Sequence, residues 1–184
     1  MTQVTAPPGT DPAILAIRAI QDRIDITDVL YRYASTIDRF DTEGLRRTLA
    51  DDLWARYGNA EPLVGGEAVA NWIAQSIAPV IWQHHLLSVY HVDVDGDHAR
   101  ALVYHTSHQV LSNDPESAKV LVGRYHNELR RTGDGWKISR LVLDLLWGEA
   151  KTDAAGYLDL VGGRGPVGGR GPVGGRERAA SGRR

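Results

Sequence analysis

Two adjacent histidines, His84 and His85, open the stretch WQHHLLSVYHVDVDGD at residues 82–97. Imidazole is the side chain whose charge changes near neutral pH, so such a pair could supply half of an acid–base site. The other half is sought upstream, in YRYASTID at residues 31–38, which carries Tyr33 and Asp38. Asp38 falls near the end of a predicted helix, where the dipole disfavours an acid, so a compensating partner is expected. A histidine would serve. A carboxylate holding one imidazole nitrogen fixes the tautomer and leaves the other nitrogen to accept a proton. Tyrosine hydroxyls can stabilise a developing enolate. Together these parts would remove a proton next to a carbonyl, with loss of water or isomerisation to follow.

The polar groups available to such a site are Tyr33, Asp38, Trp54, Tyr57, His84, His85, His105, His108 and Tyr125. One of two adjacent strand histidines must point to the outer face, and parity alone leaves open which. Trp72 and Trp136 read as core, and Trp82 as lining a cavity mouth or stabilising a strand start. Other chemistries fit less well. All seven histidines lie between residues 84 and 126, but His105 and His108 have opposite strand parity, and His85 and His91 are roughly 20 Å apart along a strand. No HExxH and no compact carboxylate–histidine set is present, so no metal is expected. There is no G-x-S-x-G nucleophile elbow and no phosphate-binding glycine fingerprint around Gly65-Gly66.

These residues need elements to position them. Asp11 as N-cap and Pro12 at the first turn start a helix. Helical spacing then runs through Ile14, Leu15, Ile17, Ile20, Ile24, Ile26, Val29, Leu30, Tyr33 and Ile37, giving a helix over about 12–38. Asp25 or Thr27 is available to cap a second segment. Asp41-Thr42 restarts a helix that Asp51-Asp52 ends, a short strand follows at 53–57, and a third helix spans about 67–77. From Trp82 the period changes to 2, with strands predicted at about 84–95, 98–111, 118–131 and 136–148. Their turns are Asp95-Gly96-Asp97, SNDPES at 112–117 and TGDG at 132–135. Helices first and strands after predict an α+β fold, a cone-shaped curved antiparallel sheet wrapped by about three N-terminal helices.

The 184 residues are 42% hydrophobic, enough for one core, with five Trp and seven Tyr against one Phe. There is no cysteine, which excludes disulfides and thiolate chemistry. MTQVTAPPGTDP has neither a basic nor an apolar signal region, and no run approaches a membrane span, so a soluble cytoplasmic protein is expected. Residues 1–10 read as a flexible arm, 11–150 as the domain, and 151–184 as an extension. Within it, 161–184 repeat VGGRGP. Residues 160–184 hold six arginines against one acid, a basic tail on an acidic body. Such Gly/Pro/Arg content reads as a disordered tail, and without aromatics in it nucleic-acid binding is disfavoured.

Four pieces stand in family-like order: IQDRIDITDVLYRYASTIDRFD (20–41), LADDLWARYGN (49–59), HHLLSVYHVDVDGDHA (84–99) and GRYHNELRRTGDGWKIS (123–139). Over about 17–147 the chain resembles the SnoaL-like branch of the nuclear transport factor 2-like superfamily, whose α+β cones include scytalone dehydratase, bile-acid 7α-dehydratase and lindane dehydrochlorinase. In such members a helix-end Asp pairs with a strand His acting as base. The resemblance implies Asp38 of TIDRFD and His85 of HHLLS, with Tyr33 five residues before the Asp and Tyr57 nineteen after it. A second histidine on the next strand is best matched by His108 in SHQV, or by His105 with a shift. The polar position on the following strand is Tyr125. Val89 stands where many members carry Asn, and Leu145–Trp147 occupy a region where some place an arginine. Counterparts of the dehydrochlorinase's lysine and arginine are absent, which disfavours dehalogenation.

The resemblance therefore implies a cofactor-independent lyase of the dehydratase type, acting on a cyclic or polyketide-like substrate. An isomerase or cyclase using the same dyad, or a non-catalytic ligand-binding module, are the alternatives. The expected catalytic residues are His85, Asp38, Tyr33, Tyr57 and His108, and the substrate-binding residues Trp54, Tyr125, Trp82 and Trp147. With His108 and Tyr125 inside, Val103, Leu111, Val120 and Val122 would form an apolar outer face, from which a homo-oligomer (dimer or trimer) is expected.

Overall fold

A computed structural model describes residues 11–152, with side chains to residue 150. The N-terminal arm and the VGGRGP tail lie outside the described residues. Three helices precede most of the sheet: α1 (Pro12–Asp38), α2 (Thr42–Thr48) and α3 (Gly66–Ser76). The strands are β1 (Leu49–Tyr57), β2 (Leu63–Val64), β3 (Val80–Asp95), β4 (His98–Leu111), β5 (Asp114–Thr132) and β6 (Gly135–Thr152). They form one curved, unclosed sheet in the order β2-β1-β6-β5-β4-β3.

The Asp11 carboxylate accepts a hydrogen bond from Ala13 N at 2.8 Å and starts α1. The helix then runs unbroken through Asp25-Ile26-Thr27. Thr27 does not cap a new segment, because its hydroxyl donates back to the Arg23 carbonyl at 2.7 Å, and Gln21 reaches Asp25 one turn on at 2.7 Å. Apolar periodicity begins at Ile14, but burial begins at Ile26. Phe40, at φ 58°, turns the chain into α2. That helix ends at Thr48, so Asp51 and Asp52 belong to β1 rather than to a helix end. Both are exposed on the strand and paired, Asp51 with Arg46 and Asp52 with Arg130 at 2.8 Å.

The β3–β6 strands form the expected antiparallel meander. β1 lies parallel to β6, with Ala55 opposite Leu141 and Tyr57 opposite Leu143. A parallel neighbour requires a long crossover, and α3 with the meander supplies it. The core fills the space between the helices and the inner sheet face. It is anchored by Ile26, Leu49, Leu53, Val69, Leu129, Ile138 and Leu141, each 1% exposed or less. No described helix is long and apolar enough to cross a membrane.

Two residues expected on the outer face are part of this core. Val103 is 1% exposed, and Leu111 packs against the core. Val103 is paired with Tyr125, and directly opposed residues share a face.

Candidate active site

Helix α1 and strand β3 meet where the helix ends. Gln83 points inward and donates to the Ile37 carbonyl at 2.6 Å, beside the hydrogen bond that this carbonyl of the last helical turn accepts from Phe40 N–H at 3.0 Å. Two residues on, His85 shares that face. The Asp38 carboxylate binds it twice: Oδ2 accepts from the His85 backbone N–H at 2.9 Å, and Oδ1 lies 2.6 Å from ring Nδ1. These contacts offset the unfavourable placement of an acid at a helix C-terminus. They also assign the Nδ1 proton to Asp38 and turn Nε2 toward the interior as an acceptor. The His85 side chain is 8% exposed and that of Asp38 21%. His84, the adjacent residue, is exposed and faces outward.

A cavity of about 150 Å³ lies beside His85, lined largely by apolar and aromatic groups. Tyr33 from α1 and Tyr57 from β1 join hydroxyls at 2.9 Å. Burial raises the pKa of both phenols, keeping them as donors. Trp72 of α3 stacks on Tyr57 with ring centroids 4.9 Å apart. Tyr125 meets Tyr33 edge-on at 5.9 Å, and burial raises its pKa as well. Among the described residues, no lysine or arginine lines the cavity.

His105 completes the polar wall. It is 4% exposed, lies 6.2 Å from His85 between ring centroids, and is 4.7 Å from Tyr125. Burial, and secondarily the neighbouring His85, lowers its pKa to about 4, so the ring is neutral at pH 7. Neither ring nitrogen has a hydrogen-bond partner among the described residues. A neutral imidazole offers one donor and one acceptor, and here both are buried. Gly123, directly across the strand pair, makes room for the ring: a Cβ there would lie 2.7 Å from His105 Nε2.

Four expected residues are not in this cavity. His108 is opposite His84, with ring centroids 6.1 Å apart, on the outer face. The cause is an irregularity in the β4–β5 ladder. The turn pairs Leu111 with Asp114; continued unbroken, that register would put Tyr125 on the face of His108. A shift after Val110 instead puts Tyr125 opposite Val103, so His105 and not His108 shares its face. Trp82 pairs with Val110 and stacks on His84, both outside. Trp54 alternates with the buried Leu53 and Ala55, and the Arg140 guanidinium covers its ring at 4.0 Å on the outer face. A second irregularity, between Val122 and Gly123, inserts Leu146 into β6. Leu145 consequently faces the cavity and Trp147 the outside, opposite Val122.

Tyr33, Tyr57, His85 and Tyr125 therefore line one cavity, with Asp38 behind His85. Trp72 read only as core from its spacing, and Leu121 and Leu143 stood out in no way; apolar residues at regular spacing carry no mark of a cavity. Among the described residues, no three His, Asp or Glu side chains converge as a metal-ligand set.

Known proteins share this architecture. An uncharacterised protein, Rv2910c of Mycobacterium tuberculosis, is 29% identical over 133 residues, covering 72% of this chain and 90% of its own length. The crystal structure of a scytalone dehydratase-like protein from Novosphingobium aromaticivorans superposes with a TM-score of 0.66 at 15% identity, over 83% of this chain and 97% of that one. A hexachlorocyclohexane dehydrochlorinase, LinA type 2, gives a TM-score of 0.68 at 16% identity, over 74% and 93%. At such identities these structures establish the fold. The family model for the SnoaL-like domain matches residues 18–142, most of the described chain, and the protein belongs to that family.

Proposed function

We propose that the protein is a cofactor-independent lyase that eliminates water from a small cyclic β-hydroxy ketone. The observation that carries this reading is the Asp38–His85 contact of 2.6 Å, made at Nδ1, with His85 lining the same cavity as the Tyr33–Tyr57 hydroxyl pair. His85 Nε2 takes the proton alpha to the carbonyl. The C–H electron pair moves into the enolate, whose oxygen accepts a hydrogen bond from the tyrosine pair. Collapse of the enolate forms the carbon–carbon double bond and breaks the bond to the β-hydroxyl. His85 returns its proton to that hydroxyl, which leaves as water, and the base is regenerated. Asp38 touches no reacting atom and acts as a positioning residue.

The cavity also favours a substrate class. With no lysine or arginine among the described residues of its wall, those residues provide nothing to neutralise a carboxylate or phosphate. Its aromatic lining suits one or two fused rings without charge. Two solved structures of the same fold carry names of elimination enzymes, which agrees with the reading.

The test is a panel of neutral cyclic β-hydroxy ketones, followed by mass spectrometry. Dehydration gives a product lighter by one water. An isomerase or cyclase using the same enolate gives a product of unchanged mass. His85→Gln and Asp38→Asn are expected to lower turnover by about 10²–10⁴-fold. Full turnover in His85→Gln on a processed substrate refutes the base assignment. Ligand affinity unchanged in both variants, with no product from any member of the panel, favours a binding module.

A further inference from the structure

Helix α1 is apolar on two sides. Ile26, Leu30, Tyr33 and Ile37 form its core face. A second row, Ile17, Ile20, Ile24, Thr27 and Tyr31, follows alternating steps of three and four residues, the spacing of a heptad seam. Ile24 and Ile26 lie about 200° apart around the axis at 3.6 residues per turn, so this row points away from the core. It is exposed: Ile17 65%, Ile20 60%, Ile24 51% and Tyr31 46%. A surface helix that faces only water does not need it.

We propose that this row is a self-association seam, in which α1 packs parallel and in register against α1 of a second copy of the chain. Ile17, Ile24 and Tyr31 take the a positions, and Ile20 and Thr27 the d positions. The flanking charges select both the occupant and its direction. Arg23 falls at g and Asp28 at the following e position. In a parallel pair, each g residue reaches the e residue five positions later on the other helix. Arg23 therefore meets Asp28 of the second copy, and two-fold symmetry makes the ion pair twice. An antiparallel pair would set e against e and g against g, and would not bring Arg23 against Asp28. The Asp28 side chain is 58% exposed, with Arg32 of its own helix 4.0 Å away.

The chain's lack of cysteine allows a clean test in the full-length protein. Ile17→Cys and Ile24→Cys, each the sole thiol, are oxidised mildly and run without reductant. Parallel in-register packing places each introduced thiol against its own copy, and both variants are expected to form disulfide-linked dimers. Arg18→Cys, on the flank turned away from the seam, is expected to remain monomeric on the gel. No cross-link at either a position, or equal cross-linking at Arg18, overturns the proposal. Charge reversal supplies a second readout that leaves the fold intact, since these side chains are on the surface. By sedimentation equilibrium, Arg23→Glu should weaken the dimer about tenfold or more, and adding Asp28→Arg should restore it. Failure of the double variant to recover overturns the assigned direction.

Discussion

Replacing His105 with glutamine removes one titrating ring while keeping a polar side chain of similar reach. The consequence is a change in how stability depends on pH. Burial lowers the His105 pKa from 6.5 to about 4. That difference corresponds to roughly 3 kcal/mol of lost preference for the charged ring. Solvent entering the cavity mouth screens part of it, leaving about 2 kcal/mol as the working figure. At and above neutral pH the ring is uncharged in the folded and unfolded chains alike, and its titration costs the fold nothing. As pH falls from 6.5 toward 4, the unfolded chain binds a proton that the folded chain refuses, so stability is lost across that window. Below it both states are protonated, and the loss is complete. Urea unfolding of the wild type and of His105→Gln, at several pH values between 7 and 4, isolates the contribution. The stability of the wild type relative to the variant should fall by about 2 kcal/mol between the two ends. A difference that stays flat refutes the argument, because it would mean that the ring is solvated in the folded state.

Two further outcomes follow from the same geometry. In Gly123→Ala the new Cβ would lie 2.7 Å from both the Asp144 carbonyl oxygen and His105 Nε2. The variant should lose about 1–3 kcal/mol by thermal or denaturant unfolding, and the His105 ring should shift by NMR. Gln83→Ala removes one donor to the Ile37 carbonyl. It should cost about 1–2 kcal/mol of stability and lower turnover on any processed substrate, because the end of α1 carries Asp38.

Much of the architecture could be read from residue pattern alone. The N-cap at Asp11, the change of period at Trp82 and the turn at Asp95-Gly96-Asp97 are local signals, and local signals are written in neighbouring residues. The pairing of Asp38 with His85 was legible for a different reason. A carboxylate at a helix end requires compensation, and the resemblance supplied a partner 47 residues away. The His108 assignment had no comparable local support. Which residues of β4 share a face with Tyr125 depends on a register shift after Val110, and nothing in SNDPES announces it. The tryptophans expected in the cavity failed similarly. Trp82 and Trp54 were placed by residue type rather than parity, and Trp147 depended on the extra residue in β6.

Residue pattern carries the class of fold, the order of its elements and the residues capable of acid–base chemistry, because propensity, period and turn chemistry act over a few residues. Which of those residues meet depends on strand register and packing. A single irregularity in a strand ladder reverses the face of every side chain beyond it, so His105 rather than His108 stands beside His85. Burial is equally non-local: the apolar periodicity of α1 starts at Ile14, yet the core starts at Ile26. The exposed row that remains was visible as a pattern, but its availability to a partner became clear only once the body had covered the opposite face.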